Sequence, residues 1–183
     1  KNNKQDLSHK HFEKSLKLKD DYLDTYIFYS RALRQSRLDN KAIEILNSGA
    51  KRIKGDKSKI KYELGEIHRE NKNFLLAITN YAQILKKNPG NHILHNSLAV
   101  CYEAIGENTM AEASYLKAIK LQPNYFHALS NYGNLLTSLG KKEEALKYFD
   151  KCIKFKSNLS RVFRYISILI NFNNKEDRYF KLM

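Results

Sequence analysis

Four columns of matched residues recur in this chain at a fixed step of 34. Gly65, Ala99 and Gly133 make one column, and Ala77, Ala111 and Ala145 a second. Tyr81, Tyr115 and Phe149 make a third, and Pro89 and Pro123 a fourth. A repeat of this length is one supersecondary unit whose apolar face is too small to bury alone, so neighbours must stack on one another. Such a constraint favours an extended surface for binding over a pocket for chemistry.

Within each period the apolar spacing is helical and the punctuation marks two helices. Leu129, Tyr132, Leu135, Leu136 and Leu139 recur at three and four before Gly140. Glycine there can take the positive-φ conformation that ends a helix. A second run follows in Ala145, Leu146, Phe149, Cys152, Ile153 and Phe155, opened by Lys141, Lys142, Glu143 and Glu144 on the water side. The preceding period repeats the plan around Gly106. Pro89 and Pro123 lack an amide donor and disfavour helix at the residue before them, so they stop the second helices. The small columns are expected where two antiparallel helices cross closely, with Tyr81, Tyr115 and Phe149 filling the space beside them.

The columns set the units. Residues 58–91, 92–125 and 126–159 are three good repeats, and 23–57 is a degenerate one with Ser30, Leu33, Ala42, Leu46 and Gly49 in the columns and one extra residue. Residues 1–22 read as the second helix of a truncated preceding repeat, with Phe12 in the aromatic column. Residues 160–183 read as a capping helix (Phe163, Ile166, Ser167, Ile170) and the start of a C-terminal extension. Asn171 to Asn174 is expected to turn, with Asn174 as N-cap of a last helix. Tyr179 falls where a small residue is needed, so the array is expected to break there. The chain starts without Met and stops inside an expected helix, which reads as a piece of something longer.

The quoted positions resemble the tetratricopeptide repeat family. Its pattern reads Leu64-Gly65 and His68 in one unit, Leu98-Ala99 and Tyr102 in the next, and Tyr132-Gly133 and Leu136 in the third. The resemblance implies an all-α, right-handed α-solenoid of tandem helix-turn-helix units, with first helices lining a concave groove where a protein or peptide partner lies. Carried onto this chain, the candidate groove residues are Arg31, Arg34, Tyr62, Glu66, Arg69, Asn96, Glu103, Ser130, Asn131, Asn134, Arg161 and Arg164, with Ile27 and Val100 beside them. Arg31, Arg34 and Arg69 are expected to meet acids of a ligand, and the Asn residues to hydrogen-bond it. Asn131 alone keeps the column of an asparagine ladder, where Phe28, Glu63, Ser97 and Tyr165 stand in the other units. A clamp for an acidic C-terminal tail fits poorly, because Asn96 and Val100 replace its leading Lys and Asn.

The formal charge of +14 raises nucleic acid or anionic lipid as partners. Lys outnumbers Arg by about three to one, a bias that goes with abundant Asn and Ile. The lysines fall on second helices and turns, at Lys117, Lys120, Lys141, Lys142, Lys147, Lys151, Lys154 and Lys156, rather than among groove aromatics. A solvated lysine-rich face is the simpler reading, and a basic nucleic-acid or lipid surface stays as the third alternative.

Other chemistry finds little footing. Cys101 and Cys152 give neither a disulfide framework nor metal spacing and are expected to be reduced core thiols, which suits a cytoplasmic protein. His92, His95 and His127 lack an acidic or Cys ligand in register, so no metal is expected. No phosphate-cradling glycine loop, nucleophile elbow or paired carboxylate motif occurs, so neither cofactor nor catalysis is expected within these residues. No apolar run reaches 18 residues, so no membrane span is expected. One further resemblance concerns the end of the chain. Phe163-Arg164-Tyr165-Ile166-Ser167, then Phe172, Asp177 and Met183, is similar to the joint after the repeats in bacterial tetratricopeptide–sulfotransferase fusions. It implies, as the alternative function, an N-terminal arm of a larger transferase whose catalytic domain lies beyond Met183.

Overall fold

The computed structural model of the chain describes residues 2–155 and 159–169. Among them every regular element is a helix: α1 (Asn2–Leu18), α2 (Leu23–Gln35), α3 (Asp39–Arg52), α4 (Ser58–Glu70), α5 (Phe74–Leu85), α6 (His92–Ala104), α7 (Asn108–Leu121), α8 (Phe126–Ser138), α9 (Lys142–Lys154) and α10 (Leu159–Leu169). Tandem helical repeats are thus the architecture, as the spacing requires. The helices fall into two compact units, one up to Lys87 and one from Asn88. In the first, α1 packs on α2, α2 on α3, α3 on α4 and α4 on α5; in the second, α6 packs on α7, α7 on α8, α8 on α9 and α9 on α10. Ile170, Asn171, Phe172, Asn174, Asp177, Tyr179 and Met183, on which the expected break and the transferase-like joint depend, lie outside the described residues.

Each first helix ends on the same device. Arg37, Lys72, Gly106 and Gly140 all have positive φ, at 59°, 61°, 80° and 75°. The residue after each donates its backbone N–H five residues back: Leu38 to Leu33, Asn73 to His68, Glu107 to Tyr102 and Lys141 to Leu136, at 2.7–2.9 Å. This left-handed closure satisfies carbonyls that the helix end would leave bare. Glycine fits it without cost, but Arg37 and Lys72 adopt it with a Cβ in place. The two second helices that precede a proline end at Leu85 and Leu121, short of Pro89 and Pro123.

Packing explains the small columns, with one revision. The glycines admit an aromatic ring onto helix backbone instead of simply drawing two backbones together. A Cβ on Gly65 would lie 2.5 Å from Cε1 of Tyr81, and one on Gly133 2.5 Å from Cε1 of Phe149. Ala77, Ala111 and Ala145 are fully buried beside them. The degenerate first repeat solves the same problem in mirror order. Ser30 and Leu46 stand in the glycine and aromatic columns, while the Tyr26 ring lies over Gly49 on α3, where a Cβ would come within 2.7 Å. Tyr26, Leu33, Leu46, Ile60 and Ile67 then form the first unit's core. The second unit's core joins Tyr115, Leu129, Leu135, Leu136 and Phe149 to Val162 and Ile166 of α10. Tyr165 of α10 stacks on Phe149 at 5.6 Å between centroids, so α10 covers the end of the last hairpin.

Candidate functional site

The first helices of the first unit, α2 and α4, carry Arg31, Arg34, Tyr62, Glu66 and Arg69. Their charges are matched inside the unit. Arg31 donates from Nε and Nη2 to Glu63 Oε1 at 2.9 and 2.5 Å. Arg34 lies 3.6 Å from the second Glu63 oxygen and donates to Glu70 at 2.6 Å. Arg69 donates to Glu66 at 2.7 Å, and the Tyr81 hydroxyl donates to the other oxygen of Glu66 at 2.5 Å. The hydrogen bond to Glu63 holds the Arg31 guanidinium above its ordinary value, and that to Glu66 does the same for Arg69. The arginines expected to await a ligand's acids therefore already hold this unit's own. The Arg31 side chain keeps 52% of its surface exposed, whereas Glu63 keeps 5%. Glu63 was legible only as the residue interrupting the asparagine column, and that position puts it between the two arginines. A hollow of about 610 Å3 lies beside them, lined by Arg31, Arg34, Gln35, Arg37, Asp39 and Glu70.

In the second unit α6 and α8 supply Asn96, Glu103, Ser130, Asn131 and Asn134. Asn131 Nδ2 donates to Oδ1 of the buried Asn96 at 3.2 Å. Ser130 is fully buried and donates to the carbonyl of its own helix at His127, 3.3 Å away. It packs the α8 crossing and cannot reach a ligand, which corrects its place among the candidates. Tyr115 reaches across from α7 and donates to Glu103 Oε2 at 2.7 Å. Burial holds the Glu103 carboxyl above its ordinary value, against the lowering effect of that hydrogen bond. Val100, Glu103, Ala104, Tyr115, Asn131 and Asn134 surround a cavity of about 290 Å3. The Asn134 side chain makes no hydrogen bond to a described residue, so its amide is available at this cavity. Arg161 is half-buried on α10, and the exposed Arg164 guanidinium sits 5.7 Å from the ring centroid of Tyr165.

The remaining chemistry-bearing residues have packing roles. His95 Nε2 donates to the Pro89 carbonyl at 2.9 Å, while His92 and His127 meet Tyr125 edge-on. Among the described residues no three His, Cys, Asp or Glu side chains gather as metal ligands. Cys101 and Cys152 are buried and outside any disulfide, and burial pushes the Cys152 thiol up to about 12, far from a reactive thiolate. Lys117, Lys120, Lys141, Lys142, Lys147, Lys151 and Lys154 are exposed on second helices and turns. No helix among the described residues is long and apolar enough to cross a membrane.

Residues 62–125 and 114–147 match models of the tetratricopeptide repeat. Over 83 residues the chain is 32% identical to the Small glutamine-rich tetratricopeptide repeat-containing protein 2 of Saccharomyces cerevisiae, covering 45% of this chain and 24% of that protein. Over 96 residues it is 28% identical to the human Protein O-mannosyl-transferase TMTC2, covering 51% of this chain and 12% of that one. The chain thus spans a quarter or less of these curated relatives. Among solved structures, MamA superposes with a TM-score of 0.74 at 22% identity, covering 86% of this chain and 91% of MamA. YrrB, described as a TPR protein with an unusual peptide-binding site, superposes with a TM-score of 0.74 at 15% identity, covering 90% of this chain and 84% of YrrB. Together with the helical hairpins, the ring-on-glycine packing and the shared helix closure, these matches identify residues 62–147 as tetratricopeptide repeats.

Proposed function

We propose that this chain is a protein-interaction scaffold whose first-helix faces hold an extended segment of a partner. The observation that carries the reading is the α6–α8 cavity. There the second unit leaves a carboxylate and two amides, Glu103, Asn131 and Asn134, around a hollow that its own core does not fill. Polar groups spared from packing on a rigid helical frame are what peptide recognition requires. The peptide-binding site named for YrrB supports the same class of partner. In the first unit Arg31, more exposed than Arg34 and Arg69, and Tyr62 are the residues of the α2–α4 face proposed to contact a partner.

The reading is tested by selecting short random peptides on the immobilised protein and measuring their affinity for variants. Asn134→Ala should weaken the selected peptides while leaving helicity and melting unchanged. Lysine substitutions on α9 should leave binding intact. If only the lysine changes reduced affinity, the first-helix assignment would be wrong.

A second reading, the repeats as an arm of a larger transferase, is supported by the match to the human O-mannosyl-transferase. The full-length gene decides it, and a gene encoding no catalytic domain would remove it.

A further inference from the structure

Carboxylates on the first-helix face of the first unit are neutralised by neighbours. Glu63 lies between Arg31 and Arg34, Glu66 faces Arg69, and Glu70 takes Arg34. The second unit breaks this rule. Val100 stands 34 residues after Glu66, and Glu103 stands 34 after Arg69. One repeat on, the acid has thus moved into the position of the arginine and the arginine is gone. The tyrosine is kept: Tyr81 donates to Glu66, and Tyr115, in the same column, donates to Glu103. No described Lys, Arg or His nitrogen lies within ion-pair distance of Glu103. The carboxylate nevertheless sits on the wall of a 290 Å3 cavity and is partly withdrawn from water, in a protein of net charge +14.

We propose that the α6–α8 cavity is a subsite for one basic side chain, an arginine or lysine of an extended partner segment, with Glu103 as its counter-charge. The incoming cation takes the place that Arg69 holds beside Glu66 in the preceding repeat. Tyr115 occupies one Glu103 oxygen, leaving the other to accept from the cation. Asn131 spends an amide hydrogen on Asn96, which leaves its Oδ1 to accept, and Asn134 offers a second amide oxygen. A guanidinium can engage such a set with several N–H groups in one plane. Val100 and Ala104 give the apolar wall along which its methylene stem can lie. Burial already disfavours the Glu103 charge, so its attraction for a matching cation is screened less here than at an open surface. The inference rests on the scaffold reading above and adds the chemistry of one ligand position.

The test uses the same peptide selection on the whole chain. Peptides that bind should be enriched in arginine or lysine at one position. Replacing that residue by norleucine should weaken binding roughly ten- to a hundredfold, the worth of one charge-assisted hydrogen bond. Glu103→Gln keeps the shape and the acceptor for Tyr115, and it should lose as much with the basic peptide but nothing further with the norleucine one. Glu103→Lys should turn the preference towards acidic residues, and Asn134→Leu, which fills the cavity, should weaken basic peptides if the Glu103 variants fail to fold. Bound peptides without a basic position, or an unchanged affinity in Glu103→Gln, would overturn the subsite and leave the scaffold reading standing. A protein that selects no peptide at all would overturn both.

Discussion

The ring of Tyr81 lies on the backbone of Gly65, so close that a Cβ there would sit 2.5 Å from Cε1. Gly133 repeats the relationship with Phe149 at the same distance. The ring is fully buried on α5 and the glycine belongs to α4, so neither can give without moving a helix.

Gly65→Ala should therefore destabilise the fold by about 1–3 kcal/mol through overpacking. Gly90→Ala is the control: its nearest neighbour to a new Cβ is 3.8 Å away, so its effect should stay within about 0.5 kcal/mol. Denaturant unfolding of the two variants measures the difference. Equal midpoints would contradict the packing described for this column.

Lys72 is an exposed residue held at φ 61° in a column where Gly106 and Gly140 stand one and two repeats on. Lys72→Gly should stabilise by about 0.5–1 kcal/mol, since relief of the left-handed strain exceeds the added chain entropy of glycine. Thermal melting checks it, and a lower melting temperature would refute it.

His68 carries an acid-sensitive element. Its Nδ1 is buried without a hydrogen-bond partner among the described residues, and burial lowers its pKa from 6.5. The unfolded chain thus binds the proton more readily than the folded one, so stability rises with pH across the window just below 6.5 and is lost as pH falls through it. His68→Leu, the residue found in this column at Leu136, should flatten melting temperature against pH in that window. An unaltered pH profile would show that His68 is not the group responsible.

Glu63 is the hub of the first unit's charge network, with its side chain 5% exposed and two arginines upon it. Glu63→Gln should cost about 1–3 kcal/mol, because it removes the charge from hydrogen bonds to Arg31 and leaves Arg34 with Glu70 alone. High salt should recover little of it, since the buried acid is poorly screened. A loss near zero would place this pair among the surface ion pairs of negligible worth.

Residues whose role follows from size and period were readable in one dimension. The step of 34 between Gly65, Ala99 and Gly133 demanded helical hairpins, and between Ser58 and Lys154 α4 pairs with α5, α6 with α7 and α8 with α9. The helix closure was readable only where glycine marks it. Gly106 and Gly140 announce it, whereas Arg37 and Lys72 hide it, because backbone hydrogen bonds to Leu33 and His68 impose a conformation their side chains do not favour. Gly49 was placed in a packing column, but its reason, the ring of Tyr26 from the neighbouring helix, lies outside the repeat pattern.

The candidate site divides the same way. Period and polarity placed Asn131, Asn134 and Glu103 on first helices, because position on a helix face follows from residue number at 3.6 per turn. Which polar groups packing would consume depends on contacts between residues some 30 positions apart, which no local pattern records. Arg31 found Glu63, Ser130 turned back on its own helix, and Glu103 was left beside a cavity with only the Tyr115 hydroxyl. The sequence alone thus determined that the chain stacks helical hairpins and which residues ride on their first helices. The tertiary structure decided which of those residues spend their charges and hydrogen bonds on the protein and which keep them for a partner, because burial and pairing are settled only when distant helices meet.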